Sequence, residues 1–162
     1  MKRSEINAVI KRFEKLLAEY KFALPPFLSF TPEEWKTKGH EYDEIRENML
    51  GWDVTDYGMG DFKRLGLALI TIRNGNANNP KKYPKVYAEK IMMCEPGQVS
   101  PMHFHWKKME DIINRGGGVI EFTLYNATED GELADTDVEI FQDGRHYTVP
   151  AGSKIILHPG ES

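Results

Sequence analysis

A mainly β fold, an antiparallel barrel reached through an N-terminal helical arm, is what this sequence predicts, on three observations. Short β-rich runs succeed one another from Leu65 onward, residues 1–64 carry helical periodicity and helix punctuation instead, and pairs such as Asn74-Gly75 and Asp143-Gly144 mark turns. The expected organisation is residues 1–64 as a helical arm with loops packing on the barrel, and residues 65–162 as the barrel.

The arm opens with Ile6, Val9, Ile10, Phe13, Leu16, Leu17 and Tyr20 at three-four spacing, the stripe of an amphipathic helix. Leu24-Pro25-Pro26-Phe27 is expected to end it, because paired prolines impose extended backbone and withhold two amide donors. Thr31-Pro32-Glu33-Glu34-Trp35 starts a second, short helix, with threonine as N-cap, proline at the first helical position and Glu34 as capping-box partner. GWDVTDYGMGD, residues 51–61, reads as a loop with brief extended pieces. The runs LGLALITIR and VYAEKIMM, Val119 to Tyr125, Val138 to Gln142, Arg145 to Val149 and Lys154 to Leu157 read as strands. Asp143-Gly144 joins two of them as a tight hairpin.

Composition narrows the function. Twenty-one basic and 25 acidic residues, interspersed to a net charge of −4, form no basic stripe for nucleic acid or an anionic membrane. Charges interrupt every apolar run near the start, so neither a signal peptide nor a transmembrane span is expected. The single cysteine, Cys94, has no partner for an internal disulfide, which fits a reducing, cytoplasmic location.

Gly97 to Gly117, GQVSPMHFHWKKMEDIINRGG, carries the chemistry. On a strand from Met102 to Trp106, His103 and His105 project from the same face, and a hairpin loop over Trp106 to Met109 would return Glu110 beside them. Two imidazoles and a carboxylate form a nitrogen and oxygen set suited to Mn, Fe, Co, Ni or Zn. The spacing Gly-x5-His-x-His-x4-Glu-x6-Gly resembles the first motif of the cupins, small jelly-roll barrels. The second cupin motif, which brings a third histidine, is not matched: Pro150-Ala151-Gly152 is followed by Ile155 where the histidine should stand. Gly160 fits the opening glycine of that motif, which reads as a C-terminal truncation, with the fourth ligand expected beyond Ser162; His158 is a less suitable stand-in.

A closer resemblance spans nearly the whole chain. MKRSEIN, LPPF before TPEEW, GWDVTDYG, and YAEKIMMCEPGQVSPMHFHWKKMEDIINRGGG resemble the D-lyxose isomerase family. The resemblance implies a homodimeric, usually manganese-dependent cupin that interconverts D-lyxose with D-xylulose and D-mannose with D-fructose, with a carboxylate base beyond Ser162. The residues are compatible with that chemistry. Removal of a proton next to a carbonyl creates an enediolate whose charge needs an electrophile, and a divalent ion on His103, His105 and Glu110 supplies one. Glu110 is also a catalytic candidate, though a ligating carboxylate is a weaker base. Lys90, which shares the alternation class of Ala88 and Met92, and Lys108, two residues before Glu110, are expected to hold a sugar hydroxyl or a developing alkoxide. Lys107 is assigned to solvent; Phe104, Trp106 and Tyr87 are candidates for stacking on a sugar, or for core or interface packing.

Three other readings use the same residues. A non-catalytic metal- or sugar-binding module accommodates the incomplete second motif. A phosphosugar isomerase would need a cationic pocket, for which Arg64, Arg73 and Arg115 are available. An iron oxygenase would use the same two-histidine, one-carboxylate set.

Overall fold

The computed structural model describes residues 1–162. The chain divides into two compact units, Met1–Pro101 and Met102–Ser162. Nine strands against three helices make it mainly β, as expected. All paired strands are antiparallel, arranged as one three-stranded sheet and three two-stranded ribbons. No helix is long and apolar enough to cross a membrane.

In the first unit, helix α1 (Arg3–Glu19) lies on the sheet formed by β1 (Gly51–Thr55), β2 (Leu67–Arg73) and β3 (Glu89–Met93), in the order β1-β2-β3. Thus the sheet takes strands from both sides of position 64/65. Val9, Phe13 and Leu17 of α1 bury against Ala68, Ile70 and Ile72 of β2 and Met93 of β3. Phe13 meets the Trp52 ring edge-on at 5.6 Å. β2 is the central strand, which explains why Ala68 to Ile72, apolar except for Thr71, are buried on both faces. On β3, alternate residues divide: Ile91 and Met93 turn toward the core, while Lys90 and Met92 are exposed. GWDVT is thus a regular strand, paired residue for residue with β2 from Gly51↔Thr71 to Thr55↔Leu67, rather than a loop with brief extended pieces.

Helix α1 stops earlier than the prolines require. Lys21 adopts a left-handed conformation (φ 55°), its amide donates to the Ala18 carbonyl at 3.0 Å, and the Phe22 amide donates to Leu17 at 2.8 Å. These are the two bonds of a Schellman motif, which closes the helix without any proline. Tyr20 falls at the cap and is exposed, so the buried stripe ends at Leu17. The prolines instead lead into a 3-10 turn over Pro26–Ser29. Helix α2 (Pro32–Lys36) has the expected capping box: Thr31 Oγ1 accepts from the Glu34 amide at 3.2 Å, and Glu34 Oε2 accepts from the Thr31 amide at 2.7 Å. A further short helix, α3 (Asp43–Glu47), precedes β1.

The connection from β2 to β3 is long, and Asn74 serves more than a turn. Asn48, 2% exposed, donates from its side chain to the Asn74 carbonyl at 3.2 Å, and Asn74 returns the bond to the Asn48 carbonyl at 3.0 Å. Asn76 adds a third bond to Asn48 Oδ1 at 3.0 Å.

In the second unit, β4 (Ile120–Thr123) pairs with β9 (Lys154–Leu157), β5 (Asn126–Ala127) with β6 (Leu133–Ala134), and β7 (Val138–Gln142) with β8 (Arg145–Val149). Asp143 and Gly144 between β7 and β8 both take positive φ, 50° and 76°, as a two-residue type I′ hairpin requires.

Candidate metal centre

The segment before the histidines is anchored in the first unit. Glu95-Pro96-Gly97-Gln98 forms a tight turn, with the Gln98 amide on the Glu95 carbonyl at 3.0 Å and Gly97 at φ 74°. Proline second and glycine third is the side-chain pattern of a type II turn, so the first motif glycine has a backbone reason. Val99 then bonds across to Arg64 and Gly66, its amide donating at 2.9 Å and its carbonyl accepting at 3.3 Å.

The segment after the ligands is anchored in the second unit by Asn114, which is 2% exposed. Its side-chain amide donates to the carbonyls of Gly118 at 2.8 Å and of Leu157, the last residue of β9, at 2.9 Å. Its side-chain oxygen accepts from the Gly116 amide at 3.1 Å, and its main chain exchanges bonds with Glu161 and Gly160 at 2.9 and 2.7 Å. Gly117, the last motif glycine, sits at φ 91°. Asn114 was not among the residues singled out from the sequence; an asparagine amid IINRGGG carries no periodic signal, and only its depth in the folded unit reveals its task.

Residues 102–117, in between, form no strand. The expected strand over Met102 to Trp106 and the hairpin over Trp106 to Met109 are therefore replaced by irregular backbone. The three side chains nevertheless converge. One donor atom from each of His103, His105 and Glu110 lies within 4.8 Å of the others. His105 Nε2 is 3.3 Å from Glu110 Oε2, and the two imidazole rings meet edge-on at 5.1 Å. Two nitrogen or oxygen ligands with bonds of ~2.1 Å to a common ion stand ~3.0 Å apart at right angles and ~4.2 Å apart when opposite. The His105–Glu110 separation of 3.3 Å is close to the first value, and within the 4.8 Å limit of the group the exposed side chains would rotate inward to share one ion. All three residues are solvent-accessible. The donor set fits a divalent ion of borderline softness.

Lys108 joins this cluster, pairing its ammonium with the second oxygen of Glu110, Oε1. Lys107 is exposed, as assigned. Lys90 belongs to the first unit, on the exposed face of β3 opposite Thr71. His158 follows β9 in an exposed turn, its amide held by the Glu161 carboxylate at 2.6 Å, and is outside the three-residue group. Phe104 and Trp106 pack on each other, with centroids 4.6 Å apart, and Tyr87 is exposed in the first unit.

Fold and site together define a mainly β protein with a candidate two-histidine, one-carboxylate metal centre. The family model for D-lyxose isomerase matches residues 1–162. The chain is 48% identical over 164 residues to the D-lyxose/D-mannose isomerase of Serratia proteamaculans and 45% identical over 163 residues to that of Escherichia coli O157:H7. Each alignment covers 100% of this chain and 71% of the relative. The chain belongs to the D-lyxose isomerase family, and is thus a sugar isomerase.

Proposed function

We propose that this sugar isomerase is a divalent-metal-dependent aldose-ketose isomerase of the cytoplasm, acting as a homodimer and interconverting D-lyxose with D-xylulose and D-mannose with D-fructose. The observation that carries the metal dependence is the convergence of His103, His105 and Glu110 donor atoms to within 4.8 Å. The substrates follow from relatives at 45–48% identity that carry the name D-lyxose/D-mannose isomerase.

In the reaction the C2 proton of the aldose is removed and returned to C1, while the O2 hydroxyl proton is lost and O1 gains one. Negative charge develops on the two oxygens at the midpoint, and the site must stabilise it. A bound divalent ion, manganese by family resemblance or Zn, Co, Ni or Fe by donor chemistry, supplies Lewis acidity toward those oxygens. His103 and His105 would hold such an ion through imidazole nitrogens and Glu110 through a carboxylate oxygen. Lys108 holds the Glu110 carboxylate from its outer oxygen and presents ammonium donors to a sugar oxygen at the rim. Lys90, exposed mid-strand on β3 of the first unit, is kept as a candidate cation for a sugar hydroxyl. Glu110, paired with Lys108 and assigned to the ion, is a poor choice of proton carrier, so the proton would be moved by another carboxylate or by solvent.

Of the three arginines a phosphosugar reading would use, Arg64 pairs with Asp61 at 3.9 Å and Arg73 with Glu89 at 4.0 Å, so that reading would rest chiefly on Arg115. Incubation with Mn²⁺ and D-lyxose, with the ketose read by chromatography, tests the proposal. Xylulose formation that stops on chelation is expected. Turnover that persists in full after exhaustive chelation would remove the metal dependence, and absence of turnover on either free aldose would remove the substrate assignment.

A further inference from the structure

The ligand-bearing segment has no strand pairing, so the spacing of His103 and His105 is not held by a hydrogen-bonded ladder. A second ring pair interleaves with the histidines. Phe104 and Trp106 meet edge-on, centroids 4.6 Å apart and planes at 77°. Both reach Gly131, in the turn between β5 and β6. A Cβ at Gly131 would stand 3.2 Å from Phe104 Cζ, 3.3 Å from Cε1 and 3.6 Å from Trp106 Cζ2. The rings therefore occupy the space a side chain would need. Gly131 also takes φ 84°, and the turn is closed by its own bonds: Gly131 to the Thr128 carbonyl at 3.0 Å, Thr128 to the Glu132 carbonyl at 2.8 Å, and the Glu132 amide to Thr128 Oγ1 at 3.0 Å.

Phe104 lies between the two ligating histidines, and neighbouring Cα atoms are about 3.8 Å apart. Seating its ring against this hydrogen-bonded turn restricts the backbone on which both imidazoles turn. We propose that Phe104, Trp106 and Gly131 are positioning residues of the metal centre: the bare Cα of Gly131 admits the two rings, and the seated rings hold His103 and His105 in ligating geometry. The proposal rests on the metal centre put forward above. It also gives the aromatic pair a task other than sugar stacking.

The test uses the full chain and Mn²⁺ alone, followed by titration calorimetry. Phe104→Ala removes the seated ring. Gly131→Asn keeps a residue that tolerates positive φ but adds a Cβ against Phe104. Each is expected to weaken Mn²⁺ binding roughly ten-fold or more, the range for residues that orient metal ligands. The Phe104→Ala/Gly131→Asn double variant is expected to be no weaker than the weaker single one, because the glycine acts through the ring. Phe104→Leu is expected to recover most of the affinity. The metal-free melting curve of Phe104→Ala should stay near the parent's, since that ring is 41% exposed. Parental affinity in both single variants, or losses that add in full, would overturn the proposal. His103→Ala separates the two levels. A parent that binds Mn²⁺ no better than His103→Ala removes the metal centre and the positioning role with it. A tight parent, a weak His103→Ala and an unaffected Phe104→Ala remove the positioning role alone.

Discussion

His105 Nε2 lies 3.3 Å from Glu110 Oε2, across a four-residue excursion that contains no regular structure. The other oxygen of the same carboxylate is paired with Lys108. The carboxylate is thus held from two sides, by a group that would share an ion with it and by one that would not.

That difference separates the roles of the two neighbours. His103→Ala and Glu110→Gln each remove one of the three proposed ligands and are expected to lower Mn²⁺ affinity by more than about 100-fold, beyond the loss typical of outer-shell changes, so that little metal survives dialysis. Metal analysis after dialysis checks it; full metal content in either variant would contradict the ligand assignment.

Lys108→Met should behave otherwise. Removing its ammonium leaves the three donors in place, so metal content should remain near the parent's, while turnover falls by about 10²-fold if the ammonium faces developing oxygen charge. Steady-state rates at saturating metal measure this. A variant that loses its metal but keeps its rate per bound ion would reverse the roles.

Asn114 ties the end of the ligand segment to β9, and its loss should be felt in folding. Asn114→Leu leaves the Gly118 and Leu157 carbonyls without their side-chain donor. Each buried group left unsatisfied costs about 1–3 kcal/mol. Urea unfolding should show a lowered midpoint, and an unchanged midpoint would mean that water replaces the amide.

The core of the first unit makes a larger demand. Phe13 is 1% exposed and packs edge-on against Trp52. Phe13→Ala should destabilise by about 3–5 kcal/mol through lost burial and the cavity left behind. The same denaturation experiment measures it, and a loss under ~1 kcal/mol would place the ring outside the core.

Acid should loosen the loop after β1. Asp56 is buried, and the Gly58 amide at 3.0 Å, with the Gly60 amide at 3.1 Å, holds its carboxyl below the usual carboxylate range. A group whose folded pKa is depressed releases its proton more readily when folded, so folding is favoured while the solution is above the unfolded value. That contribution is complete above the ordinary aspartate range near ~3.9 and is lost as pH falls through it toward the folded value. Asp56→Asn should flatten this part of the stability-against-pH curve; an unchanged slope would assign acid sensitivity elsewhere.

Much of this protein is written locally. The α1 stripe as far as Leu17, the Thr31-Glu34 capping box and the Asp143-Gly144 hairpin follow from neighbouring residues satisfying each other's hydrogen bonds and apolar faces, and they stand as read except for Tyr20, which leaves the stripe at the exposed cap. The ligand trio is also local, six to thirteen residues beyond Gly97, and its chemistry depends on residue type more than on backbone form. The helix stop at Lys21, the strand character of Gly51–Thr55 and the irregular backbone around His103 were not legible, because each depends on partners elsewhere in the chain or on a conformation that composition does not mark. So the sequence by itself determined the helix, the turns and the residue types of the candidate ligand trio. Only tertiary structure decided that Asn114 is a buried anchor and that Phe104 seats on Gly131, since a buried donor and a missing Cβ acquire meaning only when distant atoms close around them.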